Sequence, residues 1–208
     1  TVMYFANENE VLAIVAVAYQ LRGDAPETLK TLRSLGIKTH MMTGDHPLAA
    51  EAIAKEAGIE VVHAGLLPQH KGEILKREKE ENPEAIQAMV GDGVNDAPAL
   101  ALADVGVAMG QGTDIALASA DVVLLGNNLK SVLYAIRLSR RTLKIIKGNL
   151  FWALIYNAIG IPLAAGVFYN AFNWLLSPMF AAAAMSFSSL FVVTNALRLR
   201  KDPEEWDE

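Results

Sequence analysis

Three observations predict an α/β domain with a mostly parallel sheet, followed by a pair of membrane-spanning helices. Short apolar runs alternate with helical patterns over the first two thirds of the chain. One run ends in Gly91-Asp92-Gly93-Val94-Asn95-Asp96-Ala97-Pro98, a glycine-loosened loop carrying two carboxylates and an amide. Farther on, Leu150–Tyr169 and Leu175–Leu197 hold no formally charged residue. Strand–helix alternation favours parallel strands with helices on both faces. Each uncharged stretch is about long enough to cross a ~30 Å hydrocarbon core.

The strand-like runs are Val2–Phe5, Val11–Ala18, Ile37–Thr43, Glu60–Ala64, Ala85–Val90, Val105–Met109 and Val122–Leu125. Between them, helical patterns cover Ala25–Leu35, Pro47–Ala57, Gln69–Lys79, Asp96–Ala103 and Thr113–Ser119. Pro47 and Pro98 fall in first helical turns, where a missing N–H costs nothing. The alternating charges of Lys76-Arg77-Glu78-Lys79-Glu80-Glu81 predict a solvated helix end. Residues 129–149 place Leu133, Ile136, Leu143 and Ile146 among Arg137, Arg140, Arg141, Lys144 and Lys147, the pattern of a basic amphipathic linker helix. Two spans follow, 150–169 and 175–197, and then a cytosolic tail, 198–208. Basic residues flank the spans on their outer sides, with Arg198, Arg200 and Lys201 after the second, while the turn Asn170–Trp174 has none. That asymmetry puts both ends in the cytosol, and Trp152, Tyr169 and Trp174 suit the interfaces. The chain starts at Thr1 with runs that look like strands already inside a domain, so upstream sequence is expected.

Composition narrows the function classes. Hydrophobic residues make up 52% and charged residues 20%, an apolar balance that arises after Asn149. A net charge of −5 gives no electrostatic reason to expect nucleic acid as a partner. With no cysteine, neither disulfides nor thiolate metal ligands can form within the chain.

The candidate chemistry sits where strands hand over to helices. Asp92 follows an apolar strand, where an open α/β sheet presents its chemistry, and offers a hard oxygen of the kind Mg²⁺ shares with a phosphate. Thr43-Gly44-Asp45 follows a second strand and supplies a hydroxyl and a backbone N–H suited to the same anion. Lys71, in the helix opened by Pro68-Gln69-His70, can set an ammonium against it. Alone, Thr-Gly-Asp is a common helix cap and a lysine is usually solvated. The ordered set of hydroxyl, lysine and paired aspartates points to phosphoryl chemistry.

The expected spans carry polar residues near their middles: Tyr156 and Asn157 in the first, Met185, Ser188 and Ser189 in the second. Residues at i, i+3 and i+4 share a helix face, so Met185 and both serines can address one point. The group offers a thioether, a phenol, an amide and hydroxyls, but no carboxylate. Hard cations prefer anionic oxygen, whereas a thioether suits a soft monovalent ion, Cu⁺ or Ag⁺. Gly160 and Pro162 are expected to loosen the first span and free carbonyls for an ion path.

Taken together, these residues resemble the copper-exporting branch of the heavy-metal P-type ATPases, in its C-terminal part. Thr43-Gly44-Asp45, Pro68 with Lys71, and Gly91 through Pro98 are similar to successive phosphorylation-domain motifs of that haloacid-dehalogenase-like, Rossmann-type fold. Val105–Asp121, with Gly110, Gly112, Thr113 and Asp114, continues the pattern. Tyr156-Asn157 and Met185-x-x-Ser188-Ser189 look like the paired Cu⁺ signatures of the last two transmembrane helices; the lysine and aspartate of the zinc branch are missing. The resemblance implies that residues 1–10 end a nucleotide-binding domain and that 11–128 form the C-terminal portion of the phosphorylation domain. It implies an ATP-driven Cu⁺ or Ag⁺ export pump with a Mg²⁺-dependent aspartyl-phosphate intermediate. It further implies that Asp92 helps hold Mg²⁺ and shares the cofactor with Asp96, that Asn95 and Asp96 organise the phosphorylated site, that Lys71 and Thr43 bind the transferred phosphoryl group, and that the upstream domain binds most of the ATP. The implied partners are Cu⁺, membrane lipid, the rest of the ATPase and a copper chaperone, in a prokaryotic plasma membrane.

The sequence departs from that family in three ways. The phosphorylatable Asp-Lys-Thr-Gly-Thr and the membrane Cys-Pro-Cys are absent. Tyr19 stands where the family commonly has Asp, and His46 where it commonly has Asn. His46 is read as an exposed helix start, and His46-Pro47 is not the adenine-site pair. Catalysis by this chain alone is therefore not expected. Two other readings stay open: a small membrane-tailed phosphatase-like protein, and a non-catalytic membrane-anchored module or pump remnant.

Overall fold

The computed structural model describes residues 2–7, 10–16, 21–92, 94–110, 114, 118–167, 169 and 177–200. Tyr19, Gly93, Gly112, Thr113, the turn 170–174, Lys201 and most of the helix expected over 113–119 lie outside the described residues. The chain divides into two compact units, Thr1–Leu133 and Tyr134–Glu208.

The first unit opens with β1 (Val2–Ala6) and β2 (Val11–Ala16), which pair antiparallel. A parallel crossover needs a dozen or more residues, so the short link between them permits only a hairpin. Asn7 closes it: its amide donates to the Glu10 carbonyl (3.0 Å), and its Oδ1 accepts the Glu10 amide (2.8 Å). The expected strand–helix alternation begins only after this hairpin.

From there the order is α1 (Ala25–Ser34), β3 (His40–Met42), α2 (Pro47–Ala57), β4 (Val61–His63), α3 (Pro68–Glu81), β5 (Ala88–Gly91), α4 (Ala97–Leu102), β6 (Val105–Met109) and β7 (Val122–Leu124). Strands β3 and β4 pair in parallel, and so do β5, β6 and β7 in that order. Apart from the helix expected over 113–119, expected and observed elements correspond one to one over this stretch, with β3, β4, β5 and β7 shorter than expected. A 3-10 turn, Val94–Asp96, replaces the start of the helix expected at Asp96.

Helix periodicity decides which side chains form the core. Ala25, Thr28, Leu29 and Leu32 recur on one face of α1, and Ala50, Ala54 and Ala57 on one face of α2. Leu75, Met89, Ala99 and Leu100 form a buried cluster with Met42 and Ala103 against it. The Leu100 carbonyl lies where any Cβ on Gly106 would stand, so α4 lies directly on β6.

The charged end of α3 is not merely solvated, contrary to expectation. Lys79 Nζ donates to the Ala85 carbonyl and to Asp104 Oδ2, both at 2.7 Å, and Asp104 also accepts the Gln87 amide at 2.8 Å. Glu78 faces His40 and His63. The return of the chain from α3 into β5 brings these partners within reach, and residue spacing alone does not show that.

The two long helices are α5 (Lys130–Ala164) and α6 (Pro178–Ala196). The expected linker helix and the start of the first expected span form one continuous helix in α5. Its start is tied within the first unit: the Lys130 amide donates to Asn128 Oδ1 (2.8 Å) and Asp24 Oδ2 (3.3 Å), and Arg22 donates to the Asn127 carbonyl. Pro162 sits inside α5, where its missing N–H takes the helical donor from the Ala158 carbonyl. The helix ends in a Schellman motif: Gly166 (φ 77°) donates to Leu163, and Val167 donates to Pro162.

In the second unit α5 and α6 run antiparallel. Asn195 Nδ2 donates to Asn149 Oδ1 (2.8 Å), and Trp152 meets Phe191 edge-on with centroids 6.1 Å apart. Apolar side chains such as Leu154, Ile159, Phe187 and Leu190 are exposed. Among the described residues, no helix is long and apolar enough to cross a membrane.

The knot at Asp104 has a pH signature. The Lys79 ammonium, and then the Gln87 amide, hold its carboxyl below the ordinary 3.8. A depressed carboxylate contributes stability that is present above its unfolded pKa and lost as pH falls through the folded one. Asp104→Asn is expected to lower the unfolding temperature at neutral pH. The gap to the parent should close below pH 3.8, as followed by circular dichroism.

Candidate functional site

The C-terminal ends of β3 and β4 in one parallel sheet, and of β5 in a second, are the ends at which parallel strands present their loops. After β3, the Thr43 amide donates to the His63 carbonyl at 2.9 Å, one step beyond the ladder. The Thr43 hydroxyl then turns inward: it donates to Asp45 Oδ2 (2.9 Å) and accepts the Asp45 amide (3.1 Å). This turn preshapes the loop before α2, where His46 Nδ1 accepts the Leu48 amide at 3.3 Å. His46 is thus the expected exposed helix start.

The loop after β4 braces the loop after β3. The Gly65 amide donates to the Asp45 carbonyl (2.8 Å), and the Leu66 amide donates to the Thr43 carbonyl (3.1 Å). A Cβ on Gly44 would stand 3.2 Å from the Leu66 carbonyl, so only a small adjustment separates glycine from a clash. Next comes α3, where His70 Nδ1 accepts the Leu67 amide at 3.3 Å and closes the first turn.

One turn into α3, Lys71 Nζ donates to Asp96 Oδ1 at 2.6 Å, with both side chains largely buried (14% and 13% exposed). Asp96 closes the 3-10 turn after β5. A Cβ on Gly91 would lie 2.7 Å from the Asp96 side chain, so glycine at the strand end is what lets Asp96 fold back. Asp92 and Asn95 are exposed on the same crossover.

The structure thereby links the expected phosphate-site residues into one assembly: Thr43, Gly44 and Asp45 through Leu66 to α3, and Lys71 to Asp96. Asp92 and Asn95 belong to the same crossover and stay accessible. Sequence reasoning missed the bracing by Gly65 and Leu66, whose backbone groups carry no motif. It also placed Lys71 only against an anion, whereas here it is paired with Asp96. The donor set fits Mg²⁺: Asp92 offers an open carboxylate, and Asp96 keeps Oδ2 beside the oxygen that Lys71 holds.

The second unit is described by itself. The Asn149–Asn195 bridge and the Trp152–Phe191 edge contact are what pair α5 with α6 here. Tyr156 also packs near Trp152, with centroids 6.4 Å apart. Tyr156, Asn157 and Ser189 are exposed and Ser188 is half-buried; the side chain of Met185 lies outside the described residues.

Lys71→Met leaves Asp96 unpaired and is expected to cost about 3 kcal/mol, with much of that recovered when Asp96 is also made apolar. Gly91→Ala should cost about 1–3 kcal/mol by overpacking. Denaturant unfolding of the single and double variants checks both; equal destabilisation by Lys71→Met and the double variant contradicts the pairing.

The chain matches the haloacid dehalogenase-like hydrolase family over residues 1–104 and again over 73–136. It is 49% identical over 201 residues to a probable copper-transporting ATPase, PacS, of Synechocystis, covering 97% of this chain and 27% of that protein. It is also 49% identical over 200 residues to a silver exporting P-type ATPase of Salmonella typhimurium, covering 96% and 24%. Among solved structures, a zinc-transporting PIB-type ATPase in its E2.Pi state superposes with a TM-score of 0.80 at 37% identity, over 96% of this chain and 31% of that one. The chain spans about a quarter of the length of these sequence relatives. It belongs to the haloacid dehalogenase-like family and, within it, to the P-type ATPases.

Proposed function

We propose that this chain is the C-terminal part of an ATP-driven pump that exports Cu⁺, with Ag⁺ as the alternative cargo, through a Mg²⁺-dependent aspartyl-phosphate intermediate. The observation that carries the reading is the near-50% identity to copper- and silver-transporting ATPases along almost the whole chain.

In this reading residues 11–128 are the phosphorylation domain and residues 1–10 end the nucleotide-binding domain. Asp92 and Asp96 hold Mg²⁺, which supplies charge neutralisation to the transferring phosphoryl group. Lys71, paired with Asp96 at rest, turns its ammonium to the phosphoryl oxygens. The Thr43 hydroxyl leaves Asp45 to donate to the same oxygens, while the backbone braces from Gly65 and Leu66 keep the loop in place. Asn95 orders the crossover. Such positioned donors, rather than covalent chemistry by these residues, account for most of the catalysis in phosphoryl transfer. The phosphorylated aspartate and most of the ATP contacts belong to sequence other than this chain.

Residues 150–169 and 175–197 are proposed to lie in the bilayer with both ends cytosolic. The exposed apolar side chains of α5 and α6 support this, because in water they would have no partner. Tyr156, Asn157, Met185, Ser188 and Ser189 then form the ion cradle, and the absence of a carboxylate among them favours a soft monovalent ion over Zn²⁺. Cu⁺ delivery by a chaperone fits an ion that is not left free. A non-catalytic membrane-anchored module or pump remnant is the second reading.

In the full-length protein, Cu⁺-stimulated ATP hydrolysis is expected to fall by about 100-fold or more in Asp92→Ala, the scale of losing a main charge-stabilising group. It should fall steeply in Met185→Ala as well. Hydrolysis that responds to Zn²⁺ and is indifferent to Met185→Ala overturns the ion assignment; no metal-stimulated hydrolysis at all selects the second reading. Separately, residues 134–208 should require detergent for extraction, and their recovery in aqueous buffer overturns the bilayer placement.

A further inference from the structure

We infer that His40, His63 and Glu78 form a binding site for a borderline divalent cation of the Zn²⁺ class, separate from both the Mg²⁺/phosphate loops and the helix-pair cradle. The sequence scatters these residues over 39 positions, and the fold gathers them. In the β3–β4 ladder His40 pairs with Val61 and Met42 with His63. Side chains alternate along strands, so His40 and His63 project from the same face, one diagonal step apart. Helix α3 crosses that face and presents Glu78 to both.

The distances suit a three-ligand site. Glu78 Oε1 lies 2.8 Å from His40 Nδ1 and 3.3 Å from His63 Nε2. One donor atom from each residue fits within 4.8 Å of the other two. Tetrahedral Zn²⁺ with ligands at ~2.0–2.2 Å needs donor atoms roughly 3.3 Å apart, a closure that side-chain rotation supplies. His63 Nε2 is the telling atom: it is buried and, despite the 3.3 Å approach, makes no hydrogen bond. A buried polar nitrogen without a partner is costly, and a cation would satisfy it. The two imidazole rings lie with centroids 6.1 Å apart and tilted by 43°.

The ligand set also selects the ion. Two imidazoles and one carboxylate suit Zn²⁺ and its neighbours, not Mg²⁺ or Ca²⁺, which want more oxygen, nor Cu⁺, which wants sulfur. Three protein ligands leave a fourth position for water. Glu78 and Lys71 share a face of α3, two turns or ~10 Å apart. His40 lies three residues before Thr43, and the His63 carbonyl holds the Thr43 amide. A bound ion therefore clamps β3, β4 and α3, the three elements that position Thr43 and Lys71.

The test is titration of Zn²⁺ into the full 208-residue chain in mild detergent, with Mg²⁺ in excess, against a chromophoric chelator. One equivalent is expected to bind and to raise the unfolding temperature. Co²⁺ in its place should give the intense visible bands of a four-coordinate ion. Glu78→Gln and His63→Ala should each weaken binding by more than the ~10–100-fold that loss of an outer-shell partner costs. His40→Gln, at a more exposed side chain, serves as the variant with the least effect on folding. Met185→Ala should bind as the parent does, which separates this site from the helix-pair cradle. No stoichiometric binding by the parent, or binding that survives both His40→Gln and Glu78→Gln, overturns the inference.

Discussion

The ion pair between Lys71 and Asp96 is the contact on which the arrangement of the first unit depends. It joins α3 to the crossover between β5 and α4, and its 2.6 Å length and near-burial make it costly to break from one side only. Each end is held in turn. Gly91 gives Asp96 the space to fold back, and the closed first turn of α3 sets Lys71 at its height. A pair of this kind gives little net stability over an apolar substitute, but it specifies one geometry.

Around this pair the loops after β3 and β4 are braced by backbone hydrogen bonds instead of side chains. Thr43 and Asp45 satisfy each other, and Gly65 and Leu66 satisfy the carbonyls on either side of Gly44. The same strands carry His40 at the start of β3 and His63 at the end of β4, so the loop geometry and the histidine cluster depend on one ladder register.

At the start of α5, Asp24 and Arg22 meet Lys130 and Asn127, and these contacts fasten the head of the long helix to the beginning of α1. Farther along, α5 and α6 pair through an asparagine bridge and an aromatic edge contact. One asparagine pair is directional enough to set the register between otherwise apolar helices, where dispersion alone would allow sliding. Pro162 weakens the helical ladder near the end of α5 without ending it, and Gly166 closes it four residues later.

Most of the element order was legible from residues 21–125, because apolar period and punctuation by proline and glycine depend on local geometry alone. The motif residues Thr43, Lys71, Asp92 and Asp96 could be picked out for the same reason: their chemistry is carried by residue type and by position at strand ends. The hairpin of β1 and β2 was read as two strands but not as a pair, since pairing is a contact between segments. Lys79 with Asp104, Lys71 with Asp96, and Glu78 with two histidines were all invisible, because each joins residues 15 or more positions apart. The sequence by itself determined which groups are available at each strand and helix end. Only the tertiary structure decided which of them meet, because ladder register and helix crossing, not spacing along the chain, bring side chains to within three ångströms.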